Sequence, residues 1–418
     1  MSKIYTVAIL GVGSRGADAY GSLINKQKDK FNIVSLCDPR SEKLTRFAEV
    51  FGVDNSQLFT EEYEFFKAKR ADLLVIASPD AEHYRQMMKA FELGYDVLAE
   101  KPITDKEEDC VKLLEAQKKY NVKALICHVL RYSPLFTKLH EVVNSGIIGN
   151  LVAINAIEGV TYWHQAHSYV RGNWRNSETS TPMILAKCCH DLDLLQYYAG
   201  STCKSVSSIG DLRYFKKENA PKNATTRCST CPLVNDCPYS AKRIYVDRWH
   251  DVGEPKDTWP FNVVVAAPVT EEKLREAIKT GPYGQCVFYC DNNVVDNQIV
   301  MMDFDNGIKA ELTMMAFVGG RRYHLFGTLG NVLLEGDTIT ITVFGDEEKS
   351  QKIKLSDLME KGHAHGGGDQ RLIDTLYEML SGSATQNTSL AASIESHLIG
   401  IRAEESRLLG GELLKVHK

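Results

Sequence analysis

Six residues, Gly11-Val12-Gly13-Ser14-Arg15-Gly16, constrain this chain more than any other stretch. They follow an apolar run of strand length, Ile4 to Leu10, and precede a segment with helical spacing to about Lys28. A second apolar run, Phe31 to Cys37, ends on Asp38. Strand, glycine turn, helix, strand and acid in that order predict a dinucleotide-binding βαβ unit. Gly11 permits the tight turn, Gly13 lets a pyrophosphate reach the backbone, and Gly16 lets the helix pack closely on the strand. The helix N-terminus, with Ser14 and Arg15 in its first turn, offers N–H groups and a positive dipole end to phosphate. Asp38 is placed to accept hydrogen bonds from an adenosine ribose diol and would repel a 2′-phosphate. That favours NAD over NADP. Arg40, two residues on, carries the charge to hold that phosphate, so NADP stays open.

The strand–helix alternation continues. Ser41 to Phe51 has helical spacing, and Asp72 to Ala77 suits a buried parallel strand. Ser78-Pro79-Asp80 ends that strand and caps a helix from Ala81 to Leu93. Tyr95 to Ala99 reads as a strand with Glu100-Lys101-Pro102 at its C-terminal end. A helix from Asp105 to Tyr120 and a strand from Val122 to His128 close the block. The pattern predicts a doubly wound parallel sheet, α/β in class. Ligands bind at the carboxyl ends of such strands. Gly11, Asp38, Ser78, Lys101 and His128 all fall there, with Ser14, Arg15, Arg40, Pro79, His83 and Glu100 as further cofactor-lining candidates.

With 418 residues the chain has room for two domains, placed at 1–128 and 129–418. Beyond Arg131 the pattern changes. Ser133 to Ser145 reads as a connecting helix and Leu151 to Val160 as a long strand. Tyr162 to Asn176 is aromatic and polar, without either periodicity. Pro182 to Ala199 reads as one amphipathic helix. From about Gln298 to Leu355, turn signals at Asp305-Asn306-Gly307, Gly319-Gly320, Gly330-Asn331 and Gly336-Asp337 predict an antiparallel meander. The second domain is therefore expected to be α+β with a large open, mostly antiparallel sheet. Helices from about Asp369 to Leu380 and Ala391 to Gly410 finish the chain.

Residues 214–270 stand apart as an insertion rich in proline and cysteine. Cys228-x-x-Cys231-x-x-x-x-x-Cys237 has spacing compatible with zinc or an iron–sulfur centre; a structural zinc needs four ligands where the segment supplies three, with Cys203 or His250 as candidates for the fourth. Ordered thiols without metal fit the spacing as well. Hydride transfer to NAD requires no metal. Eleven cysteines cannot all pair, and their spacing is not that of a secreted disulfide framework, so a reducing compartment is expected. The net charge of −5, with no basic block, argues against nucleic acid and acidic membranes as partners. No apolar run approaches the roughly 20 residues of a membrane span. With no signal segment ahead of the first strand, the cytoplasm is the expected location.

The glycine fingerprint, Glu100-Lys101-Pro102 and His190-Asp191-Leu192-Asp193 together resemble the Gfo/Idh/MocA oxidoreductase family, which includes glucose–fructose oxidoreductase and inositol dehydrogenases. The likeness covers roughly residues 3–200 and 298–410. It implies an N-terminal Rossmann domain and a C-terminal domain whose open sheet makes homodimer or homotetramer contacts. It implies cofactor roles for Gly11, Gly13, Gly16 and Asp38, a catalytic role for Lys101 positioned by Glu100 and Pro102, and a place for His190 at the substrate. One departure stands out. Inositol-dehydrogenase-like members carry an aspartate four residues before this histidine, where this chain has Ala186, followed by Lys187.

Oxidising a secondary alcohol needs a hydride acceptor and a base for the hydroxyl proton. Lys101, with a pKa lowered by neighbouring cations, or His190, oriented by an acid on its helix, would serve as that base. Lys187, one turn before His190, suits a substrate hydroxyl or carboxylate. The segment from Tyr162 to Arg175 suits a sugar, since aromatic faces stack on pyranose C–H faces while polar tips select hydroxyls. Tyr169, Arg171 and Trp174 are its candidate contacts. His363-Ala364-His365-Gly366-Gly367-Gly368-Asp369 is expected to close over the substrate. Three activities fit: a dehydrogenase acting on a sugar or cyclitol, a glycoside hydrolase or lyase with a transient oxidation cycle, and a non-catalytic cofactor-binding sensor.

Overall fold

A computed structural model describes residues 3–254, 256–358, 364–383 and 388–417. Its first sheet contains β1 (Tyr5–Leu10), β2 (Phe31–Cys37), β3 (Leu58–Phe59), β4 (Leu73–Ile76), β5 (Asp96–Ala99) and β6 (Ala124–Ile126). The order is β3-β2-β1-β4-β5-β6 and every pairing is parallel. These strands read as near-continuous apolar runs because helices cover both faces. The chain reverses direction of winding between β1 and β4, and the crevice at that point is where doubly wound sheets bind ligands.

The second sheet contains β7 (Leu151–Val160), β8 (Cys203–Asp211), β9 (Asn297–Phe304), β10 (Lys309–Met315), β11 (Gly319–Gly327), β12 (Gly330–Glu335), β13 (Thr338–Val343), β14 (Gln351–Lys354) and β15 (Leu414–Lys415). Its order is β14-β13-β12-β11-β7-β10-β9-β8-β15. The expected meander is interrupted, because β7 lies between β10 and β11 and runs parallel to β10. The reason is topological: β7 comes earlier in the chain and occupies the centre of the sheet. Gly319 and Gly330 also begin strands, and the bends fall just before them. One face of the sheet packs on the helices Cys189–Ala199 and Leu390–Leu408. The opposite face leaves Val152, Ile209, Met301, Phe326 and Leu413 exposed.

Two helix expectations are corrected. Tyr162–His164 and Gln165–Arg171 are helical, the second part with π winding. All seven residues of that second part are buried, so no polar face exists to mark a period. The expected single helix from Pro182 to Ala199 is broken into Met183–Ala186 and Cys189–Ala199. The break frees backbone groups at residues 186–188, and the site uses one of them.

The insertion occupies all of residues 212–296, between β8 and β9. It runs past residue 270 because the helix Glu271–Thr280 buries Leu274 and Ile278 against the insertion's own core of Phe215, Tyr239, Tyr245 and Phe261. Among the described residues no helix is long and apolar enough to cross a membrane.

Candidate active site

The glycines of the turn differ in what surrounds them. Gly11 sits at φ +93°, and a Cβ there would lie 2.4 Å from the Ala77 carbonyl oxygen. A Cβ on Gly16 would lie 2.0 Å from the Gly11 carbonyl oxygen. Those two glycines are required by the protein's own packing. Gly13 differs, since a Cβ there would meet nothing nearer than Arg40 Nη2 at 4.0 Å. The space it leaves faces the N-terminus of the helix Ser14–Gly21, which suits a pyrophosphate. Asp38 closes the second strand and is 1% exposed. It accepts from Val12 N at 2.8 Å, from Arg40 N at 3.0 Å, and from Arg40 Nε and Nη2 at 2.7 Å each. Burial opposes its charge, but these Arg40 and Val12 bonds outweigh it and hold the carboxyl below its ordinary pKa. Arg40 thus lies over the acid that the sequence expects to meet a ribose.

Lys101 follows β5. Its Nζ donates to the Ala186 carbonyl oxygen at 3.0 Å, the oxygen released by the helix break. Its own N–H donates to Glu100 Oε2 at 3.1 Å. Glu100 is in turn held by Arg15 Nε at 2.8 Å and the Tyr20 hydroxyl at 2.6 Å. The expected lowering of the Lys101 pKa does not occur. Burial pulls it down, but the proximity of Cys189, Glu100 and Asp80 outweighs burial and the net shift is upward. Lys101 is an ammonium at neutral pH.

His190 lies in the first turn of the helix Cys189–Ala199, four residues after the carbonyl that Lys101 holds. His128 meets its ring edge-on at 5.9 Å and meets His397 at 5.7 Å. His128, expected against the cofactor, is fully buried between those two rings, and neither of its nitrogens has a hydrogen-bond partner among the described residues. Burial pushes its pKa well down, so the ring is neutral. Both acids of this helix accept from donors on other elements. Asp193 accepts from Arg131 at 2.6 and 2.8 Å, and Asp191 accepts from Arg321 Nε at 2.8 Å and the Tyr323 hydroxyl at 2.6 Å. Lys187 lies in the break rather than on the helix, 3.0 Å from Glu158 Oε1.

Tyr169 and Trp174 pack together near Asp80, one of the acids close to Lys101. The Trp174 Nε1 donates to Asp80 Oδ2 at 2.8 Å, and the Thr181 hydroxyl donates to the same oxygen at 3.0 Å. Tyr169 is buried with its ring beside Trp174 and His164.

Other expected contacts are redirected. Arg171 is fully buried and donates to the carbonyls of Gln285 and Tyr239 at 2.7 and 2.8 Å, so it anchors the insertion instead of lining the cleft. The side chain of Arg15 is taken by Glu100 and Asp369, which locks the phosphate turn to the helix Gly368–Ser381. His83 is buried and its nitrogens face the carbonyls of Pro102 and Ser78 at 2.7 and 2.9 Å, so it clamps two strand ends. Ser78 bonds Gln86, and Pro79 is exposed beside it. Among the described residues no three metal-ligating side chains converge, and Cys228 Sγ receives Ala241 N at 3.4 Å and Arg171 Nη2 at 3.6 Å. His363 lies outside the described residues.

Sequence reasoning missed Glu158, Arg321, Asp80 and His397. Glu158 carried the clearest signal, a lone acid near the end of an apolar strand, because a buried charge in such a run needs partners.

A family model described as oxidoreductase family, NAD-binding Rossmann fold, matches residues 5–128. A second, described as oxidoreductase family, C-terminal alpha/beta domain, matches residues 140–408. The Bacillus subtilis protein YteT, named as an oxidoreductase, is 23% identical over 423 residues, 92% of this chain and 93% of that relative. An inositol 2-dehydrogenase of Corynebacterium glutamicum is 27% identical over 207 residues, 49% of this chain and 57% of that relative. The match therefore spans only a little over half of the inositol enzyme. A levoglucosan dehydrogenase solved with NADH and levoglucosan shares the fold with a TM-score of 0.70 at 14% identity, covering 100% of both chains. The WlbA dehydrogenase of Bordetella pertussis, solved with NADH and UDP-GlcNAcA, has a TM-score of 0.70 at 15% identity, covering 99% of this chain and 98% of that one.

Proposed function

Since this chain belongs to the Gfo/Idh/MocA oxidoreductase family, we propose that it is an NAD-dependent dehydrogenase acting on a secondary hydroxyl of a sugar, cyclitol or sugar derivative. The observation that carries this reading is Lys101, fixed at the strand end beside the glycine turn and bonded across the cleft to the chain segment that bears His190. NAD, when bound, supplies the hydride acceptor. Lys101, as an ammonium, donates to the reacting oxygen and stabilises the charge that develops there. His190, on the opposite wall, takes the hydroxyl proton. Tyr169 and Trp174 line the sugar side, and Asp80 holds Trp174 in place.

On the cofactor side, Gly11, Gly13, Gly16 and the first turn at Ser14 hold the pyrophosphate. Asp38 receives the ribose once Arg40 turns away, which makes NAD the preferred cofactor. Residues 1–128 form the cofactor domain and residues 129–418 the substrate domain. The apolar outer face of the second sheet joins subunits into a homodimer or homotetramer. The eleven unpaired thiols suit a reducing, cytoplasmic setting.

The test is absorbance of reduced nicotinamide, with NAD in large excess, against free sugars, inositols, uronates and aryl glycosides. Reduced cofactor well beyond the enzyme concentration supports the dehydrogenase. Released aglycone without net reduction would replace it with a closed oxidation cycle. Neither result on any compound would leave a cofactor-binding sensor.

A further inference from the structure

Two cations on the substrate wall have no part in hydride or proton transfer. Lys187 follows Ala186, whose carbonyl holds Lys101, and Arg321 reaches over from β11. Their counter-ions lie beneath them. Lys187 Nζ is 3.0 Å from Glu158 Oε1, while Arg321 Nε is 2.8 Å from both Glu158 Oε2 and Asp191 Oδ1. The layer is one-sided. The side chains of Glu158 and Asp191 are 2% and 0% exposed, whereas those of Lys187 and Arg321 are 18% and 22% exposed. The acids are sealed inside, and what faces outward is made of N–H donors.

Not all of those donors are spent. Arg321 uses Nε and Nη2 on its acids, which leaves Nη1, and Lys187 uses one of its three N–H groups on Glu158. The pair also belongs to the cleft of Lys101. Asp191, which holds Arg321, directly follows His190, and Lys187 directly follows the carbonyl bound by Lys101. Neutral sugar hydroxyls have no need of two cations held in place by buried acids. A carboxylate accepts from both at once through its two oxygens, with charge-assisted bonds on each.

We infer that Lys187 and Arg321 form a subsite for a carboxylate on the substrate, so that the preferred substrate is an acidic sugar of the uronate kind. This rests on the reading of the cleft as that of a sugar oxidoreductase. Glu158 and Asp191 are positioning residues that hold the two donors outward. Loss of Lys187 weakens the acid substrate while the reacting oxygen keeps Lys101.

The experiment compares hexuronates with their parent hexoses on the full chain with NAD, and with cofactor-free binding measured by ligand-observed NMR. The expected result is a kcat/KM for a uronate about 10- to 100-fold above that of its parent hexose, lost mainly through KM in Lys187→Met and recovered in Lys187→Arg. Arg321→Lys gives a second variant that keeps a cation over the buried acids, and melting curves confirm that each variant folds. Equal turnover of acid and parent overturns the inference and leaves the dehydrogenase standing. Tighter binding of a hexose phosphate than of any uronate also overturns it. Uronate binding that depends on Lys187, without reduced cofactor from any sugar, supports the subsite and overturns the dehydrogenase. No uronate binding at all ends the inference.

Discussion

The Lys101 ammonium donates to the Ala186 carbonyl across 3.0 Å, and this single bond joins a strand end of the first sheet to a helix break between β7 and β8 of the second. The oxygen is available only because the helix stops at Ala186 and restarts at Cys189. A substrate oxygen entering the cleft competes for that proton donor. Lys101→Met should therefore lower kcat by about 10²- to 10⁴-fold while NAD affinity changes little. Because the Lys101 pKa lies above its ordinary value, the alkaline limb of kcat/KM should lie well above neutral pH, where the ammonium loses its proton, while any acid limb belongs to the base. Steady-state rates across pH, with NADH fluorescence titration for binding, check both statements.

Gly13 and Gly16 should respond differently to alanine. Gly13 sits at φ −105° with open space around it, so Gly13→Ala should keep its melting temperature and lose cofactor binding. Gly16→Ala drives a methyl to 2.0 Å from the Gly11 carbonyl oxygen and should cost about 1–3 kcal/mol of stability, several degrees of melting temperature. Calorimetry beside NAD titration separates the two. Equal melting temperatures would refute the distinction.

Arg40 covers Asp38 with two side-chain bonds. Arg40→Ala should uncover the acid, leave NAD binding as tight or tighter, and weaken NADP by about tenfold or more. The ratio of the two dissociation constants is the readout, and an unchanged ratio would remove Arg40 from cofactor selection.

His397 is fully buried, accepting from Ile103 N at 2.9 Å while its other nitrogen faces the Ser393 carbonyl at 2.7 Å. Burial, with His128 beside it, pushes its pKa down to about 3. An unfolded chain takes up this proton first as pH falls. The stability contributed is complete above about pH 6.5 and is lost toward pH 3, at about 1.4 kcal/mol per pH unit. Urea titrations at pH 7, 6 and 5 should show a shallower acid slope in His397→Gln than in the parent. Parallel slopes would contradict the assignment.

Arg171 holds the insertion by two carbonyls. Arg171→Met should leave buried acceptors without their donor, cost about 2–3 kcal/mol, and open residues 212–296 to protease before the rest of the chain. A reduced uronate or sugar affinity without any change in proteolysis would instead return Arg171 to the cleft.

The legible part of this protein is local. A turn of six residues, an acid after the second strand and a Glu-Lys-Pro at a strand end lie within short spans, and backbone geometry there depends on neighbours in the chain. Strand β7 was visible to its end residues for the same reason. The segment Gln165–Arg171 was not, because it is buried on every side and shows no period. Arg171 looked like a sugar contact because a buried arginine and a cleft arginine have the same sequence.

The residues alone determined the parallel sheet, the glycine turn, and the place of Lys101 at a strand end, since each follows from spacing within one strand–helix unit. Only the tertiary structure decided which charge meets which. Arg15 reaches Asp369, 354 residues away, and Glu158 sits beneath Lys187 and Arg321 from two other elements. A charged side chain specifies that it needs a partner once buried, but folding of distant segments chooses the partner.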